Sequence, residues 1–204
     1  MTRRPLYSAL ATALASVLLV ARGAAQDPRL ARLDSATRAP VGAVVDSARA
    51  AGLPPEPLVQ RALEGATKGA PGDRIVAAVR RLARDLGQAR DALGRAATPG
   101  ELEAGAAALR AGASPALLAQ LRRARPRSQR LTVPLAVLTD LVASGVPVDS
   151  AAAAVLALAA TTRDADLMEF RRTVERDIAL GAPPAAAASV RVNAAARQAR
   201  PGPP

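Results

Sequence analysis

Five times along this chain a glycine is followed by one apolar residue and then by a residue suited to opening a helix. The sites are Gly52-Leu53-Pro54-Pro55, Gly69-Ala70-Pro71-Gly72, Gly112-Ala113-Ser114-Pro115, Gly145-Val146-Pro147 and Gly181-Ala182-Pro183-Pro184. Glycine adopts the left-handed conformation that ends a helix, while proline cannot continue a helix but is well suited to the first turn of the next. A chain punctuated in this way is committed to short helices joined by tight turns. The pattern is clearest from Leu131 to Thr161, where Leu135, Leu138 and Val142 recur at helical spacing before Gly145, and Ala151, Ala154, Val155 and Leu158 do so after Pro147. Gly145 is expected to be left-handed and Val146 to pack back on Leu141, closing a helical hairpin.

The intervening segments carry matching stripes. A short helix is expected at Asp27-Pro28 holding Leu30 and Leu33, separated by Pro40 from a second helix with Val41, Val44, Val45 and Ala48 on one face. Leu58, Val59, Ala62 and Ala66 mark the next helix. The longest runs from about Gly72 to Leu93, with Ile75, Val79, Leu82, Leu86, Ala89 and Leu93 on one face, charged residues opposite, and an Asp91–Arg95 pair expected at its end. Thr98-Pro99-Gly100-Glu101 reads as a capping box, although Ala96 stands where the other turns have glycine. Leu117, Leu118 and Leu121 follow Ser114-Pro115. Leu167, Phe170, Val174 and Ile178 line a later helix, and a last, mostly alanine helix starts at Pro184. The expected fold is all-α: an alanine-rich array of short helical hairpins, solenoid-like with a repeat of about 33–36 residues, or else an irregular helical bundle.

The N-terminus reads differently. Arg3 and Arg4 precede an uncharged apolar run from Leu6 to Ala21 and small residues at Gly23, Ala24 and Ala25. This is the pattern of a secretory signal peptide over residues 1–25, with cleavage expected before Gln26 or, as the alternative, at Ala24; an uncleaved anchor is the competing reading. Thr2-Arg3-Arg4-Pro5-Leu6 also faintly resembles a twin-arginine export signal. The expected organisation is a cleaved leader over 1–25, a single helical domain over 26–198 and a disordered tail over 199–204. Of 204 residues, removal of 25 leaves 179, the length of one domain. The absence of cysteine excludes disulfides, thiolate metal sites and a lipid-modified N-terminal cysteine. With a formal charge of +11, falling to +8 once Arg3, Arg4 and Arg22 are removed, the chain is strongly basic. Nearly all of that charge is arginine, since Lys68 is the only lysine.

Little in the sequence points to chemistry. With no histidine, the usual general base near neutral pH and the commonest zinc ligand are missing. Lys68 sits at a helix end, where a lysine serves the helix dipole, and Gly65, Gly69 and Gly72 lack the spacing of a phosphate-binding loop. Asp164, Asp166 and Glu169 form the closest carboxylate cluster, with Arg163, Arg171 and Arg172 near enough to neutralise it. No catalytic residue, metal ligand or cofactor is therefore assigned. Arg122, Arg123, Arg125, Arg127 and Arg130 form the densest charge run, read as a solvated inter-helix loop or as an anion-binding site for lipopolysaccharide, phospholipid or nucleic acid. The chain is expected to be a periplasmic or secreted, non-enzymatic helical scaffold that binds another envelope or secreted protein. The alternatives are an anion-binding envelope protein using those arginines and a carboxylate-dependent hydrolase.

Overall fold

The glycine turns share one structure. In the computed structural model, which describes residues 27–198 apart from Arg127, the Ser144 N–H donates to the Asp140 carbonyl at 2.9 Å, Gly145 N–H to Val142 at 3.0 Å and Val146 N–H to Leu141 at 3.0 Å. The last two bonds require the chain to turn left-handed at Gly145, where φ is +90°. They satisfy carbonyls that a helix end would otherwise leave without partners, and they carry the buried Val146 back onto the core. Gly52, Gly69, Gly112 and Gly181 repeat the same pair of bonds, with φ between 66° and 103°. The expected leader and tail lie outside the described residues.

A 3-10 turn over Pro28–Arg32 precedes nine helices among the described residues: α1 Ser35–Ala50, α2 Glu56–Thr67, α3 Gly72–Leu93, α4 Pro99–Arg110, α5 Pro115–Ala124, α6 Thr132–Ala143, α7 Val148–Ala159, α8 Asp164–Ala179 and α9 Pro184–Gln198. No strand occurs among those residues. Two local expectations are corrected. Pro40 does not separate two helices but lies inside α1, because Asp34 caps the helix earlier by accepting from the Thr37 N–H at 2.9 Å. Proline there removes one helical bond, and the carbonyl left over belongs to Ala36, an exposed residue near the helix start. In the α3–α4 turn the left-handed residue is Gly94, with φ +93°, so that turn has its glycine two places before Ala96. The Thr98–Glu101 capping box forms as the sequence implies.

Helices alternate between two layers. α1, α3, α5, α7 and α9 pack side by side, each against the next but one along the chain, and α4, α6 and α8 do the same in the second layer. α2 begins that second layer, across a groove from α4 lined by Gln60, Arg61, Glu64, Glu103 and Arg110. Every extensive packing contact joins elements one or two places apart, which is the pattern of a stacked array. The starts of α3, α5, α7 and α9 are 43, 33 and 36 residues apart, the first step being longer because α3 spans 22 residues. Between the layers lies a continuous apolar seam that includes Leu58, Val79, Leu86, Leu118, Leu135, Val155 and Leu167. No described helix is long and apolar enough to cross a membrane.

Small side chains set the distance between neighbouring helices. A Cβ on Gly105 of α4 would lie 3.0 Å from the Ala89 Cβ of α3 and 3.3 Å from a Leu118 methyl of α5, so the glycine lets three helices meet at one point. Gly87 on α3 has open space at the equivalent position. Replacing Gly87 with Ala should therefore stabilise the fold by about 0.5–1 kcal/mol through helix propensity alone. Gly145→Val should instead cost about 1–2 kcal/mol, since the added Cβ would meet only Pro184 at an ordinary 3.6 Å and the penalty is the left-handed backbone. Denaturant unfolding followed by circular dichroism measures both, and an unchanged midpoint for Gly145→Val would disprove the turn's role.

Candidate anion site at the arginine-rich connection

Two connections between helices have no glycine, α5–α6 and α7–α8, and arginine serves loop carbonyls at the first and the helix end at the second. Arg122, in the last turn of α5, points one nitrogen, Nη2, at the carbonyls of Arg125 (3.2 Å), Pro126 (3.0 Å) and Gln129 (3.2 Å), and so gathers the loop around itself. Arg125 is buried, only 3% exposed. Its Nη1 donates to the Ala159 carbonyl at the end of α7 (3.3 Å), and its Nη2 pairs with Asp164 at the start of α8. A planar guanidinium with several donors can serve separate carbonyls at once, which a lysine ammonium does less well. The α7 end is completed by the Thr162 hydroxyl, which donates to the Leu158 carbonyl at 2.7 Å.

Beside this loop is a hollow of about 450 Å³, walled by the α3–α4 and α5–α6 connections and lined by Arg95, Thr98, Glu101, Arg122, Ser128 and Arg130 among others. Glu101 is 5% exposed and fully engaged. One carboxylate oxygen accepts from the Leu131 N–H at 2.8 Å and lies 3.4 Å from Arg122, while the other accepts from the Thr98 N–H at 2.9 Å and hydroxyl at 3.0 Å. Burial acts to raise its carboxyl, but the Thr98 and Leu131 N–H groups, the Thr98 hydroxyl and Arg122 outweigh it and hold the group below the ordinary glutamate range. Glu101 thus ties α4, α5 and α6 together. Arg95 and Arg130 are exposed and have no acidic partner among the described residues.

The five-arginine run therefore divides, which corrects its reading as one uniformly solvated loop. Arg122 and Arg125 hold the fold together, Arg123 and Arg130 are exposed, and Arg127 lies outside the described residues. Arg95 joins Arg130 in the hollow although 35 positions separate them, and no local sequence signal could have paired them. The expected Asp91–Arg95 pair does not appear among the described ion pairs; Asp91 lies 3.8 Å from Arg90. The carboxylates flagged in α8 are dispersed. Asp164 pairs with Arg125, Asp166 with Arg163 at 3.2 Å, and Glu169 with Arg172 at 2.8 Å. Hydrogen bonds from Arg163 and Arg172 lower the Asp166 and Glu169 pKa values, the direction that disfavours a general acid. Lys68 is exposed and pairs with Glu64 at 2.6 Å. No group of three histidine, cysteine or acidic residues is placed to hold a metal among the described residues.

The geometry defines an all-α, two-layer helical array with an arginine-rimmed hollow at the α3–α4 and α5–α6 connections. Comparison with protein-family models, with curated proteins and with solved structures finds no match for this chain. The structural part played by Arg125 makes a sharp contrast with its neighbour. Arg125→Ala should lower stability by about 1–3 kcal/mol, because it leaves the Ala159 carbonyl and a buried volume unfilled. Arg123→Ala should change it by no more than about 0.5 kcal/mol. Urea unfolding of the two variants decides the point, and equal midpoints would refute the assignment of Arg125 as a staple.

Proposed function

We propose that this chain is an exported, non-enzymatic helical scaffold, periplasmic or secreted, that binds another envelope or secreted protein through a helix surface. The observation that supports it most is the stacked array itself, which presents extended faces built from several helices. The state of the carboxylates is consistent with this reading: Glu101, Asp164, Asp166 and Glu169 are each engaged by hydrogen bonds or arginine. A benzophenone amino acid placed at Ala43 and Ala153 on one layer, and at Glu103 on the other, should yield a discrete cross-linked partner in the native host from at least one layer. Intact mass of the protein from the same cells should show an N-terminus at Gln26 or Ala24. The absence of any adduct would count against the scaffold, and retention of Met1 against export.

A second reading rests on the convergence of Arg95 and Arg130 on one hollow. Here the chain binds an anionic surface or polyanion, with these two arginines in place of the five-arginine loop. Single-stranded DNA is a suitable probe, because neutralising phosphate contacts releases counterions and makes binding fall with salt. Arg95→Ala combined with Arg130→Ala should weaken it by about tenfold or more, about 1.4 kcal/mol, and flatten the salt dependence. Unchanged affinity in the double variant would remove this reading.

A further inference from the structure

The two layers carry opposite charge. Helices α1, α3, α5, α7 and α9 contain 11 cationic residues against 5 acidic ones, whereas α2, α4, α6 and α8 contain 5 against 10. In the second layer the acids of α2, α6 and α8 and Glu101 of α4 are paired with arginine, and Glu103 of α4 has no ion pair among the described residues. On α3 the balance differs. Arg80, Arg81 and Arg84 are exposed and have no acidic partner within salt-bridge distance among the described residues, although α3 also carries Asp73, Asp85 and Asp91.

Two of these arginines border a groove. Between α1 and α3 runs an open cleft of about 390 Å³ whose floor and α1 wall are Pro40, Ala43, Val44, Ala48 and Leu53, with Arg80 and Arg84 on the α3 side. Beyond Pro40 and Arg80 a further hollow reaches Thr37, Gly72 and Val76 at the N-terminal ends of the two helices, where Asp34 and Asp73 line it, so the arginine-bordered part of the groove is the end towards Leu53. The cleft exists because α1 offers Ala43, Ser47 and Ala51 where larger side chains would have filled the seam against Ala83. The lining on the α1 side runs from Pro40 to Ala51, about 18 Å at a helix's rise of about 1.5 Å per residue, so the cleft is long enough for some three turns of another helix.

We infer that the α1–α3 groove is the docking site for an amphipathic helix of a partner protein, its apolar stripe on the alanine and proline floor and acidic residues paired with Arg80 and Arg84. This rests on the scaffold reading above and names the surface and the partner chemistry. Charge complementarity selects the occupant: two unpaired guanidiniums beside an apolar floor match acids placed at i and i+4 next to an apolar stripe. The chain's own terminal segments do not fit, because residues 1–26 and 199–204 contain no aspartate or glutamate. A second copy offers no such pair: the acids of α8 are largely engaged by Arg125, Arg163, Arg172 and Arg191, and the exposed helical acids without an ion pair among the described residues, Asp73, Glu103 and Asp149, lie singly on three different helices.

The test uses the full mature chain and two synthetic helical peptides of about 18 residues, about 27 Å long. One has a leucine-alanine stripe flanked by glutamates at i,i+4, and the other has lysine at each of those positions. By fluorescence anisotropy the glutamate peptide should bind at least about tenfold more tightly. Charge reversal by Arg80→Glu with Arg84→Glu should invert the preference, while Arg123→Glu on the same layer should leave it unchanged. Ala43→Trp, which fills the groove, should weaken both peptides. Since Arg80 and Arg84 are exposed and unpaired, the helical melting curve of the double variant should match that of the parent, which separates lost binding from lost fold. Equal affinity for the two peptides, or retention of the glutamate preference after charge reversal, overturns the inference. So does tighter, Arg80- and Arg84-dependent binding to phosphatidylcholine vesicles containing phosphatidylglycerol than to the glutamate peptide, because the occupant would then be an anionic surface. Host cross-links from Glu103 but not from Ala43 would overturn the groove and leave the scaffold standing, whereas their absence at every position would remove both.

Discussion

The structure depends on how each helix disposes of its last carbonyls. A helix leaves four of them without intrahelical partners, and an array of short helices multiplies that demand at every turn. At five turns a left-handed glycine brings its own N–H and that of the next residue back onto the helix end, as at Gly145, where Leu141 and Val142 are satisfied. At the α7–α8 connection, which has no glycine, Arg125 does the same work for the Ala159 carbonyl from a distant segment, and in the α5–α6 connection Arg122 serves the carbonyls of the loop that follows the helix. One chemical requirement thus accounts both for the repeated glycines and for part of the arginine cluster.

Small side chains impose the second constraint. Alanine and glycine favour close approach of helix axes but bury little apolar area each, so the array gains less per residue from hydrophobic transfer than a leucine-rich core would. Gly105 against Ala89 shows the benefit, since three helices meet where no larger residue would fit. The cost appears at the α1–α3 seam, where alanine and serine leave a cleft unfilled. Contacts confined to elements one or two places apart mean that each hairpin relies on its neighbours, and leucines such as Leu58, Leu118 and Leu135 supply the continuous seam between the layers.

Arginine has two separate roles in this molecule, and burial decides which. Arg125, almost wholly buried, serves a carbonyl and a carboxylate and is an internal brace. Arg80, Arg84, Arg95 and Arg130 are exposed, unpaired with acids among the described residues, and border hollows. Net charge alone describes neither role. A basic composition predicts an attraction for anions in general, yet several guanidiniums are already engaged by helix ends, loop carbonyls and the acids of α4 and α8.

Helix extents and turns were legible before any tertiary contact was known, because capping, glycine conformation and 3.6-residue periodicity act over a few residues. Gly72–Leu93, the Thr98–Glu101 box and the buried face of α7 could all be read from spacing. Pro40 signals a helix break locally, but the Asp34 cap, six residues earlier, outweighs the loss of one bond. The hollow was not legible: Arg95 and Arg130 become neighbours only when α3, α4, α5 and α6 stack, and Glu101 looked like a capping residue until Leu131 and Arg122 arrived from 30 and 21 positions away. Local order follows from interactions within one or two turns of the chain, which a sequence displays directly. Which charges are spent and which remain for a partner depends on burial and on contacts between distant segments, and those came into being with the stacking of the two layers.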